Sequence, residues 1–123
     1  MAKPKILILE DSKDLQIAFY YAFEDYGFEL LQAFHIQDAI AMFEANPDVA
    51  LIATDACIEK GEVLDAKKFI AYVIRRGYTG PFVAMSSENY LVRKMMEMGC
   101  NLECRDKSDL PKIVRDILLG VKR

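Results

Sequence analysis

Several features are scarce in this chain of 123 residues, and each scarcity argues against a class of protein. Its three cysteines, Cys57, Cys100 and Cys104, are an odd number in a chain whose 53% hydrophobic content is enough to build a core. That is unlike a disulfide-stapled secreted module, and free thiols are expected. On one extended strand, Cys100 and Cys104 would stand roughly 13 Å apart at about 3.3 Å per residue, beyond disulfide reach. There is one histidine, His35. With no second histidine to build a cluster, a metal role beside the cysteines is not expected, and His35 reads as a surface residue. No apolar run approaches the length needed to span a bilayer, and Met1 to Lys5 lacks the charged-then-apolar order of a signal peptide, so a soluble, cytoplasmic protein with no membrane partner is expected. Charge of one sign is also missing. Sixteen basic against nineteen acidic residues leave a net charge of -3, which gives nothing global to attract nucleic acid, so any partner is recognised locally.

What is present is a regular beat. The length suits one domain, residues 1–123, with a single well-buried core. Ile6-Leu7-Ile8-Leu9 has the look of a strand buried on both faces and stops at Glu10-Asp11. Leu15, Phe19, Ala22, Phe23 and Tyr26 then recur at helical spacing up to Gly27. Tyr20, Tyr21, Tyr26 and the neighbouring phenylalanines read as core with polar tips. Phe28 to Phe34 suggests a second strand, and Ala39, Ile40, Met42 and Phe43 a second helix stopping near Asn46-Pro47. Val49 to Thr54 repeats the buried-strand pattern and ends at Asp55, followed by a loop over Cys57 to Glu62. Ala66, Phe69, Ile70, Val73 and Ile74 mark the third helix, with Arg75-Arg76 at its end complementing the helix dipole. Phe82 to Met85 forms strand four, and Leu91, Val92, Met95 and Met96 give a helix that stops at Gly99. Residues 101–105 carry the weakest strand signal. Leu110, Ile113, Val114, Ile117, Leu118 and Val121 line the last helix, capped by Ser108 or Asp109 and with Pro111 in its first turn. Neither linker nor repeat is left over, and no output domain is expected in this chain. Five βα units predict a doubly wound α/β fold, a five-stranded parallel sheet covered by helices on both faces.

In such sheets, sites form at the carboxyl ends of strands, where strand order reverses. Glu10-Asp11, Asp55, Ser86-Ser87 and, beyond the fifth strand, Lys107 stand at those ends. Any one of them alone is explained by turn or cap chemistry. Together, three carboxylates would resist ionising side by side unless a divalent cation that prefers oxygen neutralises them, which points to Mg²⁺. Lys107 can offset phosphoryl charge and Ser86 can donate to a phosphoryl oxygen. A P-loop or Rossmann nucleotide site is disfavoured, because Glu10-Asp11-Ser12-Lys13 follows strand one where a glycine-rich turn would have to stand.

In Lys5-Ile6-Leu7-Ile8-Leu9-Glu10-Asp11, Ala50-Leu51-Ile52-Ala53-Thr54-Asp55, Pro81-Phe82-Val83-Ala84-Met85-Ser86 and Lys107, the sequence resembles the CheY-like receiver domains of two-component response regulators over nearly its whole length. The resemblance implies a flavodoxin-like fold and a phosphorylation-dependent switch, not an enzyme with an external substrate. Asp55 would accept the phosphoryl group from a sensor histidine kinase, a phosphotransfer protein or a small phosphodonor. Mg²⁺ would be held by Asp11, Asp55 and the backbone carbonyl of Cys57, with Glu10 acting mostly through water. Ser86 would be the switch hydroxyl and Lys107 the ion-pair partner of the phosphoryl group. A downstream protein target, not identified by the sequence, would read the change.

The chain departs from that pattern in places. Glu59 stands where a proline is common, which predicts a more mobile and more acidic loop. Ser108 follows the lysine instead of proline, predicting a trans Lys107-Ser108 bond, and Cys104 replaces the aromatic readout residue. One extra residue separates Gly99 from Lys107; without it Asp106 would align with the lysine, but an aspartate would add repulsion. Cys57 and Glu88 occupy positions that govern attacking water, and Cys57 is expected neither to orient nor to block it. Two alternatives therefore stand beside the switch: a pseudo-receiver that binds partners without productive phosphorylation, and a small phosphohydrolase, which lacks a dedicated general acid beside Asp55.

Overall fold

The computed structural model describes residues 3–59, 61 and 63–120. Strands β1 (Lys5–Leu9), β2 (Glu29–Ala33), β3 (Leu51–Asp55), β4 (Phe82–Met85) and β5 (Leu102–Cys104) alternate with helices α1 (Lys13–Asp25), α2 (Ile36–Ala45), α3 (Lys67–Arg75), α4 (Asn89–Met98) and α5 (Leu110–Leu119). All four strand pairings are parallel, in the order β2-β1-β3-β4-β5. This is the doubly wound arrangement expected from the five βα units. Order reverses beside β1, so the crevice between β1 and β3 is the natural place for a site.

Period-two alternation divides the core between the two faces of the sheet. Leu7, Leu9, Ile52, Phe82 and Ala84 face α2, α3 and α4, whereas Ile6, Ile8, Ala53, Val83 and Met85 face α1 and α5. Cys100 belongs to the first layer and Cys104 to the second, so the sheet itself keeps the two thiols apart. All three cysteines are free.

Several elements differ in detail from the sequence reading. β2 is shorter, because Phe28 leaves the strand to pack against Phe23 and Tyr26 in the α1 layer. Asp55 is the last residue of β3, not the first after it, and its partner across the ladder is Met85 of β4. Tyr20 and Tyr21 are not core: they stand on the exposed side of α1, 48% and 64% accessible, while Phe19 and Phe23 take the buried stripe. Ile74 is 37% accessible, not fully buried, and lies over Gly99 at the end of α4. A side chain on Gly99, at φ 137°, would put its Cβ 2.6 Å from Ile74 Cγ1, so only glycine fits that closure. Asp109 takes the N-cap position of α5, as the sequence allowed, but makes no side-chain cap bond there. Asp106 accepts from the Ser108 N–H at 3.0 Å and caps a 3₁₀ turn (Lys107–Asp109) that leads into the helix. Val121, assigned to the last helix by periodicity, lies outside the described residues. Among the described residues no helix is long and apolar enough to cross a membrane.

A polar residue that helical periodicity does not flag holds the site end of β1. Gln16, buried on α1, donates through Nε2 toward the carbonyls of Ile8, Glu10 and Ala33 at 3.3, 3.2 and 3.1 Å. Gln32 on β2 in turn donates to the Gln16 side-chain oxygen at 2.9 Å. The amide thus ties β1, β2 and α1 together one residue before Asp11. Gln16→Met keeps the shape but removes the donors, and it is expected to lower unfolding free energy by about 1–3 kcal/mol, the cost of a buried acceptor left without a partner. Urea unfolding of the two proteins measures this.

Candidate functional site

Each candidate side chain leaves the sheet at a carboxyl end. β1 delivers Glu10 and Asp11, β3 ends on Asp55, β4 runs into Ser86, and the 3₁₀ turn after β5 begins with Lys107. The backbone at these exits is fixed by sheet-like bonds: the Glu10 N–H donates to the Ala33 carbonyl at 3.0 Å and the Ser86 N–H to the Cys104 carbonyl at 3.2 Å.

Lys107 lies between two carboxylates. Its Nζ is 2.7 Å from Glu10 Oε1 and 2.9 Å from Asp55 Oδ2. The other oxygen of each acid is occupied by backbone, since Glu10 Oε2 accepts from the Ser12 N–H at 2.9 Å and Asp55 Oδ1 from the Ala56 N–H at 2.8 Å. Asp11 is exposed, yet its carboxylate, with those of Glu10 and Asp55, offers oxygens within 4.8 Å of one another. The structure thus brings together Glu10, Asp11, Asp55 and Lys107. Asp106, the other residue that spacing could have put at the lysine's place, turns away to cap the 3₁₀ turn. Ser86 is buried at the end of β4, and its Oγ accepts from the Glu88 N–H at 3.1 Å, which engages the oxygen and not the hydroxyl proton. The Cys57 side chain packs against the core layer of α2, α3 and α4. No peptide bond among the described residues is cis, Lys107-Ser108 included.

Electrostatics set the character of the cluster. Burial is the largest influence on both Glu10 and Asp55 and pushes their carboxyls above the ordinary range; Lys107 offsets part of this, and the neighbouring acids add to it. For Lys107, burial alone would favour the neutral amine, but Glu10 and Asp55 outweigh it and hold the ammonium above its usual value. Glu10 Oε1 lies close to that ammonium without a well-formed hydrogen bond, and is the buried side-chain oxygen left without a hydrogen-bond partner among the described residues. An all-oxygen donor set with one such oxygen fits a hard divalent cation.

Sequence reasoning missed Asp65. It is 9% exposed, and its two oxygens accept from the Ile58 and Glu59 N–H groups at 2.7 Å each. The β3–α3 loop expected to be mobile for want of a proline is therefore gripped at its first turn. An aspartate just ahead of a helical run gave the only signal, and it reads equally well as an ordinary helix-start residue. His35 is a surface residue, with Nδ1 3.6 Å from Glu59 Oε1 across the outer rim of the site. Arg75 and Arg76 end α3 on the exposed surface, where Arg76 lies 5.6 Å over the Tyr72 ring.

No family model matches the sequence, and no curated protein matches it either. Solved structures do. The chemotaxis protein CheY4 of Vibrio cholerae superposes with a TM-score of 0.79 at 19% identity, over 98% of this chain and 100% of that one. A two-component response regulator from Clostridium difficile gives 0.80 at 21%, with the same coverage of each chain. This chain has the fold of a CheY-like receiver domain. A CheY-like receiver domain protein from Methanospirillum hungatei JF-1 agrees at 0.80 with only 14% identity, over 98% of this chain and 97% of that one. Within the receiver fold, the acidic cluster and its lysine occupy the crevice where strand order reverses.

Because folding favours the neutral forms of Glu10 and Asp55, protonation contributes stability that is complete below the ordinary carboxylate values and is lost as pH rises through the raised folded ones. Glu10→Gln, neutral at every pH, is therefore expected to melt above wild type at neutral pH without divalent cations. The difference should shrink as pH falls toward the ordinary glutamate value of 4.5. Circular-dichroism melts in chelator across that range measure it. A variant that melts below wild type at neutral pH would mean that the Lys107 pair outweighs burial.

Proposed function

We propose that this chain is a phosphorylatable receiver switch of two-component signalling, with Asp55 as phosphoacceptor. The observation that carries the reading is the Lys107 ammonium held between Glu10 and Asp55, with the Asp11 carboxylate alongside, at the carboxyl edge of the sheet. An Asp55 carboxylate oxygen forms the new O–P bond as the N–P bond of a phosphohistidine breaks, and the leaving imidazole nitrogen takes up a proton. Lys107, released from one of its carboxylates, offsets the added negative charge. Ser86 keeps its hydroxyl proton for a phosphoryl oxygen, since its oxygen already serves the Glu88 amide.

Asp11, Asp55 and the Cys57 carbonyl are the proposed ligands for Mg²⁺, with Glu10 acting through water. When bound, the ion neutralises the clustered carboxylates and polarises the incoming phosphoryl group. The donors are a sensor histidine kinase or a phosphotransfer protein, and a protein target reads the two states in the cytoplasm. Neither nucleic acid nor membrane is a direct partner. The departures at Glu59, Cys104 and Ser108 favour the pseudo-receiver as the second reading, whereas Glu10, Asp11, Asp55, Ser86 and Lys107 all argue for chemistry. A phosphohydrolase is the least favoured reading, because the sequence offers no dedicated general acid beside Asp55.

Intact-mass analysis after incubation with a small phosphodonor separates these readings. The switch gains one phosphoryl group in Mg²⁺, gains none in chelator, and gains none as Asp55→Asn. A folded wild-type chain that stays unmodified with both small donors and histidine kinases is a pseudo-receiver.

A further inference from the structure

The loop between β3 and α3 carries Cys57, whose backbone carbonyl is one of the proposed Mg²⁺ ligands. A backbone ligand can be aimed only by fixing its peptide unit. The Cys57 carbonyl shares one planar trans unit with the Ile58 N–H, so the two point in opposite directions. That N–H donates to Asp65 Oδ1 at 2.7 Å. The next one, of Glu59, donates to Asp65 Oδ2 at 2.7 Å. Ala66, next to Asp65, closes the same loop through its N–H to the Ala56 carbonyl at 3.2 Å. Two short bonds to one buried carboxylate are charge-assisted and stronger than bonds to a neutral acceptor. They turn the Cys57 carbonyl away from Asp65 and hold it there.

The grip also gives residue 59 a role. A proline has no N–H and could not supply the second bond. Where a proline would stiffen the loop through its ring, this chain stiffens it through the Glu59 amide and the Asp65 carboxylate.

We propose that Asp65 is a positioning residue for the cation site: through the Ile58 and Glu59 amides it orients the Cys57 carbonyl as a Mg²⁺ ligand, a task that requires an N–H at residue 59. The inference rests on the Mg²⁺-dependent reading of the site. Asp65 is not among the proposed Mg²⁺ ligands, and the role assigned to it is exerted through the Ile58 and Glu59 peptide units that it holds.

The test is calorimetric titration with Mg²⁺, together with amide hydrogen exchange at Ile58 and Glu59 in the metal-free protein, on folded wild type, Asp65→Ala, Asp65→Asn, Glu59→Pro and Glu59→Gln. Asp65→Ala is expected to weaken Mg²⁺ binding by about 10–100-fold, the range for losing an outer partner of a metal ligand, and to speed exchange at both amides. Asp65→Asn retains one acceptor and falls between Asp65→Ala and wild type. Glu59→Pro introduces the residue common at this position in receiver domains, yet it is expected to weaken Mg²⁺ binding relative to Glu59→Gln, which removes the same charge and keeps the N–H. Should Asp65→Ala fail to fold, Asp65→Asn and the two Glu59 variants decide the matter. Wild-type affinity in the Asp65 variants, or equal affinity in the two Glu59 variants, overturns the proposal while leaving Mg²⁺ binding intact. A wild-type chain that binds no Mg²⁺ overturns the reading of the site and this inference together.

Discussion

An ammonium from beyond the fifth strand reaches two carboxylates, one buried and one half-buried, at the ends of the first and third strands, and much of the local architecture follows from keeping those charges together. Taking Glu10 and Asp55 out of water carries a desolvation cost that only close, well-oriented partners offset. Lys107 supplies the charge, and the Ser12 and Ala56 amides occupy the remaining oxygens. The compensation is incomplete, because both acids still lie above their ordinary range. Added positive charge would lower the remaining cost of ionising both acids.

The frame that makes this possible is the parallel sheet with two separately packed faces. β1 and β3 are neighbours, so their ends present acids side by side, and β4, next to β3, ends at the same edge of the sheet just before Ser86. Gln16 and Asp65 then do for the backbone what Lys107 does for the charges. One neutral amide fixes the exit of β1, and one carboxylate fixes the first turn after β3.

Those parts of the molecule that depend on period and punctuation were legible in the sequence. Ile6 to Leu9 and Leu51 to Thr54 are buried on both faces, as continuous apolar runs require, and the acids at their ends form the carboxylate cluster. The strand β5, at three residues, is as weak in the structure as its pattern suggested. What periodicity could not reveal were polar side chains whose partners are backbone groups distant in sequence. Gln16 looks like any helical glutamine until the carbonyl of Ala33 is placed beside it. Asp65 looks like a helix-start residue until the loop folds back over it. Asp116 is buried on α5 with the Arg115 guanidinium against it and Tyr26 beneath, a cluster that charge counting along the chain does not expose. Tyr20 and Tyr21 misled in the opposite direction, because adjacent aromatics on a helix cannot both share the stripe already filled by Phe19 and Phe23. The loss of a proline at residue 59 suggested mobility only because its replacement was sought within the loop's own composition.

The brevity of β5 also bears on how copies of the chain meet one another. An open sheet has two margins, and a strand at a margin presents unused N–H and C=O groups that a foreign strand could borrow. Here one margin offers only Leu102 to Cys104, with Glu103 outward and Arg105 beside it joined to that glutamate at 3.4 Å. A strand seeking to add at this margin would gain few ladder bonds while stripping water from two charges, so the short fifth strand guards the sheet against unintended extension.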